Sequence, residues 1–169
     1  MRRCSVMVAA VLLACACANP RPASTDGRAT VTKVIDGDTI VVRIGGQEEH
    51  VRLLGIDTPE THKPDSPVEC FGPEAASRLG VLLPKGTVVR LVRDVESRDR
   101  YDRLLAYVYR DQDGLFVDLA MVTDGFAGTL TISPNVAHRE ELDRAAADAK
   151  AAQRGLWRAC GGNHVVPAG

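Results

Sequence analysis

The stretch VRLLGIDTPE, residues 51–60, decides how this chain folds. Val51, Leu53, Leu54 and Ile56 have the composition of a buried strand. Arg52 lies inside that run, and Asp57 and Glu60 follow it with Pro59 between them. Buried charge with no partner or task is rare, because desolvating it is costly. In a straight strand Arg52 and Asp57 would face opposite sides, roughly 16 Å apart. They can share a site only if the strand bends, and Gly55 is the residue that permits a bend or bulge. Thr58-Pro59 then turns the chain so that Glu60 folds back toward Arg52. A plain salt-bridge cluster at a strand end is the competing reading of the three charges.

Upstream, ATVTKVID (29–36) and TIVVRI (39–44) read as strands joined at Gly37-Asp38. Gly45-Gly46 makes a hairpin into a third strand, EEHVRLLGI (48–56). Downstream, residues 57–69 carry three prolines and no periodicity, which predicts a loop. Pro73 sits in the first turn of a helix whose Ala75, Leu79 and Leu82 share one face, and Pro84-Lys85-Gly86 stops it. TVVRLVR (87–93) and LLAYVYR (104–110) read as strands on either side of a polar segment. A short helix over 117–125 ends at Gly125. A longer one over 138–154, striped by Leu142, Ala145, Ala149 and Ala152, ends at Gly155. Trp157 is expected to pack against the body, and residues 161–169 form a loose tail. Strands dominate the first half and helices mark the joints and the end, so the class is α+β.

The 169 residues suit one domain with a real core, and 45% hydrophobic with 25% charged residues excludes a disordered chain. A formal charge of −1 gives no global basic signature. A nucleic-acid partner would have to be held by a local patch or a metal. Residues 1–18 read as an export signal: Arg2 and Arg3 precede an apolar run too short to span a bilayer, and Ala16-Cys17-Ala18 fits a cleavage site. Leu12-Leu13-Ala14-Cys15 also resembles a lipobox, in which Cys15 would be lipidated and anchor the protein to a membrane. The two readings stay open, and both send the domain out of the cytoplasm to a secreted or envelope location. A Pro/Ser/Gly linker follows over 19–28. Beyond the leader only Cys70 and Cys160 remain, and an oxidising compartment predicts one disulfide between them. Closing so long a loop stabilises by roughly 4 to 5 kcal/mol in the chain-entropy model. Two separate thiols are the blander alternative, and metal ligation by two cysteines is weaker still.

IDGDT (35–39), RLLGIDTPE (52–60), CFGPEA (70–75), DRYDRLLAYVY (99–109) and GLW (155–157) occur in this order. Together they resemble the staphylococcal-nuclease-like (thermonuclease) family across roughly residues 29–158. Each motif is weak alone; the ordered set is specific. The resemblance implies a five-stranded OB-type β-barrel with about three helices, occupying 29–160, and OB-folds bind oligonucleotides across a barrel face. By the same resemblance, Asp38 and Asp57 match calcium-ligating aspartates, and Thr58 the residue lending its backbone carbonyl. Glu60 matches the carboxylate beside the attacking water, and Arg52 and Arg103 match phosphate-binding arginines. Tyr101 matches a substrate-contacting tyrosine, and Arg100 and Lys63 are neighbouring cations for substrate binding. These types suit the chemistry. Ca²⁺ takes hard oxygen ligands, and guanidinium forks grip phosphate oxygens better than lysine does.

Three departures from the family stand out. Asp102 replaces a glycine, though aspartate tolerates left-handed backbone better than most residues. The loop after Glu60 has Lys63 as its only lysine. Residues 128–135 lack the tyrosines that pack on the nucleotide, which predicts weaker binding of short ligands by about 1 to 3 kcal/mol per base. Arg90, Arg93, Arg98, Arg100 and Arg110 could compensate as a patch, although alternating arginines on strands more often form a solvated face. His50, His62 and His138 are assigned no catalytic role, and no zinc-type cluster is visible. The implied function is an exported, Ca²⁺-dependent nuclease. It would hydrolyse single- and double-stranded DNA and RNA with little sequence preference, leave 3′-phosphate ends and need no obligate protein partner. The alternatives are a non-catalytic OB module binding nucleic acid or protein at the envelope, and a tethered structural barrel that only the leader supports.

Overall fold

The runs of Val, Ile and Thr form the five barrel strands that their composition predicts. The computed structural model describes residues 27–61 and 67–166. The leader, Cys15, linker residues 19–26, His62 and Lys63 lie outside these residues. β1 (Arg28–Val34), β2 (Thr39–Ile44), β3 (Gln47–Leu53), β5 (Val88–Val92) and β6 (Leu104–Arg110) close a barrel in the order β1-β2-β3-β6-β5. β3 and β6 run parallel, and the other pairings are antiparallel. Gly45 and Gly46 both have positive φ (57° and 90°) across the two-residue turn from Ile44 to Gln47. That is the mirror-image turn whose twist matches paired strands. β1 takes in Arg28, the last residue of the expected linker, because Arg28 already pairs with Arg90 and the Gly27 carbonyl accepts the Leu91 amide.

The core fills the barrel and continues under the helices. Val31, Ile40, Val42, Val51, Leu53, Val89 and Val108 are buried from the strands. α1 (Gly72–Leu82) adds Ala75, Leu79 and Leu82, and α2 (Val117–Thr123) adds Met121 and Val122. α3 (Arg139–Ala151) adds Leu142 and Ala149. Pro73 opens α1 as expected. In α3, Glu140 and Glu141 sit in the first turn and Lys150 in the last, matching the helix dipole.

Three features differ from the sequence expectations. Residues 128–130 form a strand, β7 (Gly128–Leu130), which pairs antiparallel with β4 (Gly55–Asp57). A one-turn helix, α4 (Leu156–Ala159), follows α3 and buries Leu156, while Trp157 stays half-buried beneath the Lys150 ammonium. The third difference concerns the segment expected to be a loose tail. Cys160 is bonded to Cys70, with their Cα atoms 6.0 Å apart, and the Val165 carbonyl accepts the Cys70 amide at 2.7 Å. The bridge sets the tail beside the loop that follows β4, where its backbone and side chains find partners.

The bend predicted inside the third strand is present. β3 ends at Leu53 and β4 begins at Gly55, whose φ is +77°. A Cβ there would overlap the Leu142 side chain of α3, so the position is fixed by both conformation and space.

Candidate active site

The bend brings together what the linear chain separates. Arg52, 8% exposed, donates from Nη1 to the Leu53 and Ile56 carbonyls at 2.7 and 2.9 Å. These carbonyls flank Gly55, so the guanidinium closes the bend it depends on. Its Nη2 lies 3.1 Å from Asp57 Oδ1 and 3.1 Å from Asp38 Oδ2. Asp38 reaches this point from the turn between β1 and β2. The Thr39 hydroxyl donates to its Oδ1 at 3.0 Å, and the Thr58 amide and hydroxyl donate to its Oδ2 at 3.1 and 3.2 Å. Carboxylates from two distant segments therefore converge on one atom, with Thr58 beside them.

A cavity of about 550 Å³ opens at this end of the barrel. Asp38, Arg52, Glu60, Arg100, Tyr101 and Arg103 line it, with Leu105, Leu130 and Ile132 as its apolar wall. Arg103 is parked on Asp99: its Nε donates to Asp99 Oδ2 at 2.7 Å, and its amide to Oδ1 at 3.0 Å. Burial pushes the Asp99 carboxyl up, but the hydrogen bonds from Arg103 outweigh it and hold the group below its ordinary value. Arg100 donates to the Tyr101 hydroxyl at 2.7 Å and lies over its exposed ring. Asp102 adopts the left-handed conformation, φ +65°, and its carboxylate lies 3.5 Å from Arg98.

Several neighbours escaped the sequence reading. Asp36 lines the same cavity, though D-x-D at a turn reads as turn chemistry. Burial, and then the charge of Asp38, pushes its carboxyl up to about 6. His164 stands with Nε2 2.5 Å from Asp57 Oδ2 and Nδ1 2.7 Å from Glu69 Oε2. Partial burial disfavours the charged ring, yet the hydrogen bonds to Asp57 and Glu69 prevail and raise its pKa above the ordinary value. No sequence signal pointed to it, because it lies 107 positions from Asp57. The arginines read as a compensating patch are largely engaged. Arg98 forks onto Glu49 at 3.0 and 3.1 Å, Arg110 pairs with Asp113, and Arg90 lies over Tyr109.

The donor set suits a hard divalent cation. Asp38 and Asp57 offer oxygens around a common point already occupied by a cationic nitrogen, and oxygen donors of this kind hold Ca²⁺. Among the described residues no group of three or more His, Cys, Asp or Glu side chains could hold a metal ion, so carbonyl and water oxygens would complete such a shell.

Carboxylates gathered with a guanidinium, and a second guanidinium on the same cavity of an OB-type barrel, suit one class of chemistry: hydrolysis of phosphodiesters in nucleic acids. Comparison with known proteins makes the assignment narrower. The family model described as Staphylococcal nuclease homologue matches residues 50–159. The chain is 40% identical over 140 residues to the Thermonuclease of Staphylococcus intermedius, covering 81% of this chain and 82% of that relative. It is 37% identical over 127 residues to the Thermonuclease of Staphylococcus hyicus, covering 75% of this chain and 73% of the relative. Endonuclease YncB of Bacillus subtilis is 35% identical over 133 residues, which span 78% of this chain and 62% of that protein. The chain belongs to the staphylococcal nuclease family and is a hydrolase of the nuclease class.

Proposed function

We propose that this protein is an exported, Ca²⁺-dependent nuclease that hydrolyses phosphodiester bonds in DNA and RNA with little sequence preference and leaves 3′-phosphate ends. The observation that carries the reading is the position of Arg52 Nη2, 3.1 Å from both Asp38 and Asp57, on the cavity that Glu60 and Arg103 also line. Asp38, Asp57 and the Thr58 backbone carbonyl would hold the cation. When bound, Ca²⁺ supplies positive charge that polarises the phosphodiester and eases formation of a nearby hydroxide.

The chain's own residues do the rest. Glu60 orients the attacking water and takes up its proton as the new P–O bond forms. Arg52 and Arg103 donate paired hydrogen bonds to the phosphate oxygens, where negative charge grows as the P–O5′ bond breaks. Arg103 exchanges its Asp99 partner for phosphate, one anionic acceptor for another. Tyr101 and Arg100, which line the same cavity, would meet the neighbouring nucleotides, and Lys63, outside the described residues, is assigned to substrate binding by the family resemblance alone. The apolar wall of Leu105, Leu130 and Ile132 gives bases a surface without hydrogen-bond readout, consistent with low sequence preference. The leader in residues 1–18, or its lipobox alternative at Cys15, supports export, as does the Cys70–Cys160 disulfide.

The test is digestion of single-stranded DNA and RNA with Ca²⁺ or with chelator, followed by end analysis. Cleavage only with Ca²⁺, giving 3′-phosphate and 5′-hydroxyl ends, is expected, and Glu60→Gln should lower the rate by about 10²-fold or more. Cleavage that persists in chelator would contradict the metal assignment. Binding without cleavage would favour a non-catalytic OB module.

A further inference from the structure

The C-terminal segment reaches the site carboxylates by a route that no barrel strand provides. It is fastened at Cys160 by the disulfide to Cys70 and at Val165 by the hydrogen bond from the Cys70 amide. Between these points Asn163 Nδ2 donates to the Asp57 carbonyl at 3.1 Å, and the His164 ring sits between Asp57 and Glu69. The Glu69 oxygen that meets the ring also accepts the Glu60 amide at 2.9 Å, and the Glu60 carbonyl accepts the Glu69 amide at 3.0 Å. His164 is therefore the hub of a chain of contacts running from Asp57 to the backbone of Glu60.

Two details separate this contact from ordinary surface pairing. His164 has φ +56°, a left-handed conformation that strains a residue bearing a Cβ. Its side chain is 45% exposed, so core burial does not offset that strain. The hydrogen bonds to Asp57 and Glu69 do.

We propose that His164 is a positioning residue of the phosphodiesterase site: its ring, set between Asp57 at one nitrogen and Glu69 at the other, fixes the Asp57 carboxylate and, through Glu69, the Glu60 backbone. The role rests on the nuclease reading given above. Arg52 holds Asp57 through Oδ1 alone; the ring holds Oδ2 and so sets the carboxylate plane. Each oxygen accepts through one lone pair and keeps another for a cation. Partners of this kind to a metal-ligating carboxylate are typically worth 10- to 100-fold in metal affinity or activity. The disulfide thus serves the site as well as the fold, because it delivers His164.

The test measures Ca²⁺ binding by calorimetry without nucleic acid, single-turnover cleavage of single-stranded DNA at saturating Ca²⁺, and thermal unfolding without metal. The proteins are the wild type, His164→Ala and His164→Gln. His164→Ala should weaken Ca²⁺ binding by about 10-fold and slow cleavage, with little change in the metal-free midpoint. His164→Gln, which restores one N–H donor, should recover part of both. Unchanged affinity and rate in His164→Ala would overturn the proposal, as would tighter Ca²⁺ binding, which would make the ring a competitor of the cation. A lowered midpoint with affinity intact would reduce the contact to a structural one and also overturn it. A wild type that neither binds Ca²⁺ nor cuts would sink the nuclease reading and this role with it. A wild type that does both, matched by His164→Ala, would remove this inference alone.

Discussion

Arg52 and Arg103 line one cavity, but the two regions that carry them are built differently. Arg52 rises from β3 with its side chain 10% exposed, locked by two carbonyls and two carboxylates. Arg103 ends the loop before β6, 30% exposed, and its side chain is paired with Asp99. Arg52 closes the Gly55 bend, so the site and the fold share its interactions. Arg103 rests on a carboxylate it can leave, so its task can be separated from the fold.

Variants can break or sharpen that contrast. The largest effects are expected at the arginines: Arg52→Ala and Arg103→Ala should each lower the cleavage rate by about 10³-fold or more, as arginines do in other phosphoryl transfers. Their stabilities should part company. Losing Arg52 leaves two carboxylates and two carbonyls without their shared donor, a cost of about 3 to 5 kcal/mol for a broken buried pair. Losing Arg103 should cost no more than about 0.5 kcal/mol. Denaturant unfolding of the metal-free proteins measures both, and equal losses would erase the distinction between the two regions.

Gly55→Ala comes next. The new Cβ meets Leu142 at a residue held at positive φ, so strain and overpacking should cost about 2 to 4 kcal/mol together. Cleavage should fall too, because Asp57 lies two residues beyond the bend. Full stability and rate in this variant would show that the bend does not set the Arg52–Asp57 contact.

A smaller change of opposite sign is expected at Asp118, in the first turn of α2. It is fully buried, Oδ2 accepts the Val108 amide at 2.9 Å, and Oδ1 has no hydrogen-bond partner among the described residues. Burial, only partly opposed by that hydrogen bond, raises its pKa well above the ordinary value. The unfolded chain releases this proton near pH 3.9 while the folded chain keeps it. The group's stabilising contribution is therefore complete below that pH and is lost as pH rises through the folded pKa. Asp118→Asn removes the loss, so it should stabilise by about 1 to 3 kcal/mol at pH 7 and by nearly nothing near pH 3.5. Unfolding midpoints across that range would expose the error if the gain were absent or independent of pH.

The parts of the molecule that were legible in the sequence are those whose partners lie close along it. Arg52, Gly55, Asp57, Thr58 and Glu60 fall within nine positions, and the clash of charge with a strand pattern forced a bend to be read there. The hairpin glycines and the strand runs are legible in the same way, through local chemistry, whereas the closure of those strands into a barrel was implied only by the family resemblance. β7 was missed because three residues, Gly-Thr-Leu, are too few for a periodic signal and owe their pairing to β4. Asp118 sits in an apolar run where its burial depends on the packing of α2 on β6, which no local pattern records. His164 joins the site on a tail fastened by a disulfide that links positions 90 apart, and Glu69 joins it through its hydrogen bonds with Glu60 in a loop that has no periodicity to read. Asp36 gives no separate signal, because the residue types that suit a tight turn also suit an acidic cavity. Of the two readings of the arginines, the solvated face fits better than the compensating patch: Arg110 pairs with Asp113 three residues on, while Glu49, the partner of Arg98, is visible only once the fold brings them together.

The most direct check is a double-mutant cycle on single-turnover cleavage of single-stranded DNA at saturating Ca²⁺, with Arg52→Ala, Arg103→Ala and the combined variant. Two guanidiniums acting on one scissile phosphate should be strongly non-additive, so the double variant should be little slower than the worse single one. Losses that simply multiply, or full activity in either single variant, would contradict a shared phosphate and with it the one-cavity site.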